Sequence, residues 1–160
     1  MQDCIFCRIV AGQEPASVVY RDERCTAFLD VQPVNPGHLL VIPNRHAAHL
    51  AELDPEDGAQ VWRVAQRLAG PLRLAGVRCE GTNLFLADGA PAGQTVFHVH
   101  LHVIPRFRGD GFGLRFPPGY GQRPPRADLD ILARSISAHM PAGDGDHAQT
   151  SVPPQGHHLP

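Results

Sequence analysis

Short apolar runs, each bounded by charged residues or by Pro and Gly, occupy the first part of the chain: Ser17-Val18-Val19-Tyr20, Cys25-Thr26-Ala27-Phe28-Leu29 and His38-Leu39-Leu40-Val41-Ile42. Runs of that length with β-branched and aromatic residues predict three strands joined as a β-meander. Pro33 and Asn35-Pro36-Gly37 mark the loop before the third strand and put His38 at the strand entrance. The period then changes. Asp54-Pro55-Glu56-Asp57 has the form of a helix start, with Asp54 as N-cap, Pro55 in the first helical position and acidic residues at the positive end of the dipole. Val61, Val64, Ala65, Leu68 and Leu72 follow at helical spacing and predict one face laid on a sheet. Pro71 lacks an N–H donor and crowds the preceding turn, so a kink or an end is expected near Gly70. Asn83-Leu84-Phe85-Leu86-Ala87 reads as a further strand, and Val96 to Ile104 as the clearest strand of all. Ala127 to Met140 reads as a terminal helix carrying Leu129, Leu132, Ala133 and Ile136.

The 160 residues suit one domain, and a composition of 42% hydrophobic and 19% charged residues excludes a disordered or collagenous chain. The exception is 141–160, where Pro, Gly, Asp, Ser, Gln and His leave little to bury, and a disordered tail after a domain at 1–140 is expected. Lys and Arg total 14 against 16 Asp and Glu, and a net charge of −2 gives no electrostatic basis for tight binding to nucleic acid or to an anionic membrane. No apolar stretch approaches the roughly 20 residues that span a bilayer, and the first residues form no signal peptide. The expectation is a soluble, cytoplasmic protein. Four cysteines are too few for a disulfide scaffold, so their chemistry is thiolate chemistry or none.

The ten histidines are clustered, and that clustering is the main chemical signal. In His98-Val99-His100-Leu101-His102-Val103-Ile104 polar and apolar residues alternate, which on a strand puts three imidazoles on one face and Val99, Leu101 and Val103 on the other. Solvent-facing histidines or a metal cluster would give the same pattern. The preceding Gly89-Ala90-Pro91-Ala92-Gly93-Gln94-Thr95 favours phosphate chemistry, because a small flexible loop can bring backbone N–H groups, the Gln94 amide and the Thr95 hydroxyl towards an anion beside the histidines. Imidazole is a competent nucleophile at phosphorus near neutral pH. His100, with an imidazole on each side, is the expected nucleophile.

Gly93-Gln94-Thr95-Val96-Phe97-His98-Val99-His100-Leu101-His102-Val103 resembles the signature of the histidine triad nucleotide hydrolases and transferases. The likeness continues upstream in Ala27-Phe28-Leu29-Asp30 and Pro36-Gly37-His38-Leu39-Leu40-Val41-Ile42-Pro43, and spans about Asp3 to Met140. It implies an α+β fold with a curved antiparallel sheet, one long helix and a C-terminal helix, and a homodimer. It makes His100 the residue that forms a nucleotidyl-histidine, Gln94 and Thr95 phosphate contacts, and His38 and His102 supports for charge and orientation. Phe28 and Val31 would line a purine pocket, Asp30 would accept the ribose hydroxyls, and Asn83 would join the nucleotide contacts. Turn formation for Asp30 and core packing for Phe28 are the competing structural roles. Ala87 stands where the family often has asparagine, which leaves one sugar or phosphate contact open, with Asp88 as its neighbour.

Cys4-Ile5-Phe6-Cys7 offers two thiolates at chelating spacing, half of a four-ligand zinc shell. The resemblance to prokaryotic triad proteins supplies the other half as His46 and His98, with His49 in reserve, and implies a structural Zn2+ and no catalytic metal. A reversible dithiol and two inert cysteines are the alternatives. Cys25 and Cys79 read as small buried residues. Arg106 and Arg108, in a Gly-rich aromatic segment after the triad, stand either near outer phosphates or in solvent. The expected activity is hydrolysis at the α-phosphorus of nucleoside phosphoramidates or adenylylated compounds. Dinucleoside polyphosphate hydrolysis and a non-catalytic nucleotide- or zinc-binding module are the competitors.

Overall fold

The computed structural model describes residues 4–141. The chain divides into two compact units at Gly113/Leu114. The first begins with a helix the hydrophobic pattern does not predict, α1 (Ile5–Val10), because six residues are too few to reveal a helical period. The predicted meander follows as β1 (Val18–Arg21), β2 (Cys25–Leu29) and β3 (Leu39–Pro43), then the long helix α2 (Pro55–Leu74), β4 (Gly81–Leu86) and β5 (Leu101–Arg106). All pairings are antiparallel, and the open five-stranded sheet has the order β1-β2-β3-β5-β4.

Asp54 caps α2 as predicted, its carboxylate accepting from the Glu56 and Asp57 N–H groups at 2.9 and 3.3 Å. The helix passes Pro71 and ends only at Leu74, four residues beyond Gly70, where a kink or an end is expected from the sequence. Leu72 is buried against the sheet, and that contact holds the last turn in place although Pro71 donates no hydrogen bond.

Alternation along β2 and β3 feeds two separate cores. Cys25, Ala27, Leu39 and Val41, with Leu101 and Val103 of β5, meet Val61, Val64 and Ala65 of α2 on one face. Phe28, Leu40 and Ile42 meet Phe6 and Ile9 of α1 on the other. Each face removes apolar area from water at about 25 cal/mol per Å², so both helices are pinned by the same two strands.

The strand expected at Val96–Ile104 is shorter and later. The Val99 N–H donates to the Ala47 carbonyl at 2.8 Å and the His98 N–H to Val96 at 2.9 Å, so this stretch spends its donors outside the sheet. Of the three alternating histidines only His102 lies in β5. Among the described residues no helix is long and apolar enough to cross a membrane.

In the second unit α3 (Arg126–Ala138) matches the predicted terminal helix and buries none of its residues. Apart from Pro141, the predicted tail at 141–160 lies outside the described residues.

Candidate functional site

The turn into β3 positions His38. Gly37 adopts φ +89, and a Cβ there would stand 3.2 Å from the Val77 side chain, so both the backbone and the space select glycine. The Val34 N–H donates to His38 Nδ1 at 3.1 Å. With Nδ1 accepting, the proton of neutral His38 sits on Nε2, which donates to His102 Nδ1 at 2.9 Å. The remaining proton of His102 is then on its Nε2. Burial pushes His38 below the ordinary imidazole range, against the pull of Asp30, whose carboxylate lies 3.5 Å from Nδ1. Burial, then the neighbouring His100 and His38, push His102 down to about 4. Both rings are therefore neutral near pH 7 and act as oriented donors and acceptors.

His100 is buried in the segment before β5. Its Nδ1–H donates to the His98 carbonyl at 2.8 Å, which fixes the tautomer and leaves the Nε2 lone pair available. The ring lines a cavity of about 380 Å³ together with His102, Phe28, Asp30, Thr95 and Val96. Ile5, Phe6 and Ile9 of α1 complete the apolar wall. Val31 is 91% exposed and stands at the rim. One oxygen of Asp30 accepts from the Gln32 N–H at 2.8 Å, so the carboxylate also serves its turn.

Other expected contacts are placed elsewhere. Gln94 is buried and does not line the cavity: its Oε1 accepts from the Gly89 N–H at 2.7 Å, and its Nε2 donates to the Ala48 and Val96 carbonyls at 2.8 and 3.2 Å. The amide holds the loop that presents Thr95. Asn83 is exposed on β4, outside the cavity lining, with its amide oxygen bound to Arg106. The long arginine side chain reaches across from the neighbouring strand and takes the amide that the nucleotide was expected to use. Arg106 is itself engaged by Asp110 at 2.8 Å and stacks over Phe112, so it is not a free phosphate ligand. Asp88 is bonded to His49 at 3.1 Å and to the Leu50 N–H at 3.3 Å, and neither Asp88 nor Ala87 lines the cavity. That pairing also takes His49 out of the metal-ligand set.

A second cluster lies behind the cavity. Cys4 and Cys7 from the start of α1, His46 from the loop after β3 and His98 bring their ligand atoms within 4.8 Å of one another. Zinc with bonds of about 2.3 Å to sulfur and 2.0–2.1 Å to nitrogen, at tetrahedral angles, separates its ligands by about 3.3 Å for two nitrogens and about 3.5 Å for sulfur and nitrogen. The two imidazole Nδ1 atoms are 3.3 Å apart, and three of the four sulfur-to-nitrogen distances are 3.4 Å for Cys7–His46, 3.5 Å for Cys4–His98 and 3.6 Å for Cys7–His98. His98 Nε2–H donates to the Pro43 carbonyl at 2.8 Å, turning the Nδ1 lone pair towards the thiols, the outer-shell arrangement usual for a metal-bound imidazole. The donor set fits a closed four-coordinate ion.

Two site features escape sequence reasoning. Phe6 is 7% exposed, with its ring edge-on to Phe28, His98 and His100 at centroid distances of 5.6, 5.8 and 5.3 Å. Ile5 and Phe6 between the cysteines, with Ile9 just after them, were the available signal. Asn35 is a buried amide that donates to the Pro105 carbonyl at 2.8 Å and to Asp110 at 2.9 Å, tying the His38 loop to the end of β5. Its Asn-Pro-Gly setting reads only as a turn.

The HIT domain family model matches residues 11–109. A HIT family protein of Bacillus anthracis is similar in structure, with a TM-score of 0.79 and 38% identity, covering 87% of this chain and 98% of that one. A zinc-bound histidine triad family protein of Mycobacterium smegmatis is 39% identical with a TM-score of 0.67, covering 86% and 98%. An adenylylsulfatase of Arabidopsis thaliana is 36% identical over 104 residues, which cover 65% of this chain and 52% of the plant protein.

Proposed function

This chain belongs to the HIT domain family, and from that membership we propose that it is a nucleotide-binding hydrolase acting at the α-phosphorus of nucleoside 5′-phosphate derivatives. Nucleoside phosphoramidates and adenylylated compounds are the favoured substrates, the latter in keeping with the name of the plant adenylylsulfatase. The observation that carries the reading is the state of His100, with Nδ1–H committed to the His98 carbonyl and the ring on the cavity wall.

In the first displacement His100 Nε2 bonds to the α-phosphorus, and the amine or other group leaves with the electron pair of its bond to phosphorus. The positive charge that develops on the ring is stabilised through Nδ1–H by the His98 carbonyl. His102 Nε2–H, oriented by His38, donates a hydrogen bond to a phosphate oxygen, and Thr95 adds a second contact. Water supplies the proton that the departing amine needs. In the second displacement water attacks the nucleotidyl-histidine, the bond from phosphorus to nitrogen breaks, its electrons return to Nε2, and the nucleoside monophosphate is released.

Phe28 and Val31 pack against a purine base, and Asp30 accepts the ribose hydroxyls. Cys4, Cys7, His46 and His98 would hold a structural Zn2+, which when bound cross-links three segments of chain and leaves no open coordination position. The working form is a cytoplasmic homodimer; β4 is an edge strand with Phe85 40% exposed, the kind of edge that a second subunit covers. Dinucleoside polyphosphates are less favoured, because Arg106, one of the two arginines considered for outer phosphates, is engaged by Asp110.

Release of nucleoside monophosphate from a panel of saturating phosphoramidates and adenylylated compounds tests the reading, together with mapping of the acid-quenched adduct. His100→Ala should lower turnover by several orders of magnitude and retain binding of AMP. An adduct on a different histidine, or full turnover by the variant, would overturn the mechanism, and binding without release from any member would leave a non-catalytic nucleotide module.

A further inference from the structure

The helix α1 belongs to both sites at once. Ile5, Phe6 and Ile9 line the cavity beside His100, while Cys4 and Cys7 flank the Ile5-Phe6 pair and reach towards His46 and His98. A six-residue helix without a side-chain cap has no stability of its own in water, since nucleation costs more than its few hydrogen bonds return. Tertiary contacts must therefore hold it. One set is the apolar cluster with Phe28, Leu40 and Ile42, joined by the Arg21 guanidinium donating to the Ile9 carbonyl at 3.2 Å. The other is the cysteine and histidine cluster. Phe6 stands where the two sets meet, with its ring against His98, His100 and Phe28.

We propose that Phe6 is a positioning residue that couples the Cys4/Cys7/His46/His98 cluster to the nucleotide cavity, so that metal and nucleotide bind cooperatively. The proposal rests on the nucleotide reading above. Metal bound by all four ligands fixes both ends of the first turn of α1 and so fixes the Phe6 ring, which closes the cavity wall and restrains His100. Without metal the wall is held by the apolar contacts and the Arg21 hydrogen bond alone, and a nucleotide must order it at a cost to its own affinity. In the other direction, a nucleotide packed against Ile5, Phe6 and Ile9 holds α1 in place and presents the two thiols to the histidines. Linkage requires the two effects to be equal, and couplings of this kind are typically 5- to 150-fold.

AMP affinity is measured by calorimetry on zinc-loaded and metal-stripped protein, and zinc affinity by competition with a chromophoric chelator with and without saturating AMP. Both should change by the same factor, about tenfold. Phe6→Leu keeps an apolar side chain to dock α1 and removes the ring. It should weaken AMP binding to zinc-loaded protein far more than to stripped protein, whereas a ring that served only packing would weaken both alike. If stripping unfolds the chain, zinc transfer from the folded, loaded protein to the chelator is timed instead. AMP should then slow transfer from the wild type and not from Phe6→Leu, and equal slowing in both overturns the proposal. Equal AMP affinity with and without zinc overturns the coupling and leaves the nucleotide reading standing; absence of AMP binding to zinc-loaded protein overturns both.

Discussion

Acid should destabilise this fold through His102 before it protonates the most strongly held carboxylates. His102 is held at about 4, first by burial, then by His100 and by His38, with Asp30 pulling weakly the other way. In the unfolded chain an imidazole takes its proton near pH 6.5, whereas the folded chain takes it only near 4. The unfolded state thus binds more protons between those values, so this contribution to stability is present in full above about pH 6.5 and is lost as the pH falls through 4. A fully expressed difference would be about 3.4 kcal/mol, and solvent screening of a partly exposed ring leaves about 1.5 kcal/mol. His102→Gln removes the titration and keeps a neutral polar side chain. Denaturant midpoints for both proteins, taken from pH 8 to 4 in zinc-supplemented buffer, isolate the term. Changes at the metal cluster, and carboxylates such as Asp22, held near 2, are common to both proteins and cancel in the difference. The wild type should be the more stable protein at pH 8, and its advantage should shrink by about 1.5 kcal/mol, or roughly 5 °C in Tm, by pH 4. Parallel stability curves would show that His102 titrates normally and would refute the claim that both rings of the His38–His102 pair are held neutral.

Asp30→Asn should weaken AMP binding about tenfold and 2′-deoxy-AMP binding much less, because a hydrogen bond to a charged acceptor exceeds one to a neutral amide by about 1 kcal/mol or more. Equal weakening in a fluorescence competition assay would confine Asp30 to its turn with Gln32. Gln94→Ala removes the side-chain partner of the Gly89 N–H and of the Ala48 carbonyl, while the Val96 carbonyl keeps the His98 N–H, and should lower stability by about 2 kcal/mol in denaturant melts; an unchanged midpoint would mean that water replaces the amide. Protein purified without chelators should carry about one zinc per chain, and chelation should lower Tm, since metal affinity for the folded state adds to its stability. Elemental analysis that finds no zinc, with no thermal shift on adding it, would return Cys4 and Cys7 to a role as a dithiol or as inert cysteines.

The sequence by itself determined the elements that local chemistry dictates. Asp54-Pro55 can only start a helix well, and its cap is seen as read. The meander follows from short apolar runs between turn residues, and the clustered histidines with the Gly-Gln-Thr loop carry a chemical pattern that needs no coordinates. What the tertiary structure alone decided is where side chains with several possible partners spend their hydrogen bonds. Gln94 looks identical in sequence whether its amide faces a phosphate or three backbone groups, and only the approach of the Ala48 segment decides for the backbone. Asn83 belongs to Arg106 because β4 and β5 are neighbours in the sheet. Alternation predicts one continuous histidine strand, but the Val99 N–H finds the Ala47 carbonyl, so His98 and His100 leave the ladder before β5 begins. That departure lets His98 face the cysteines while His100 faces the cavity. The helix α1 is the extreme case, since its residues have almost no helical preference to display over six positions. Its existence depends on burial against Phe28 and Ile42, a long-range term that no local pattern contains.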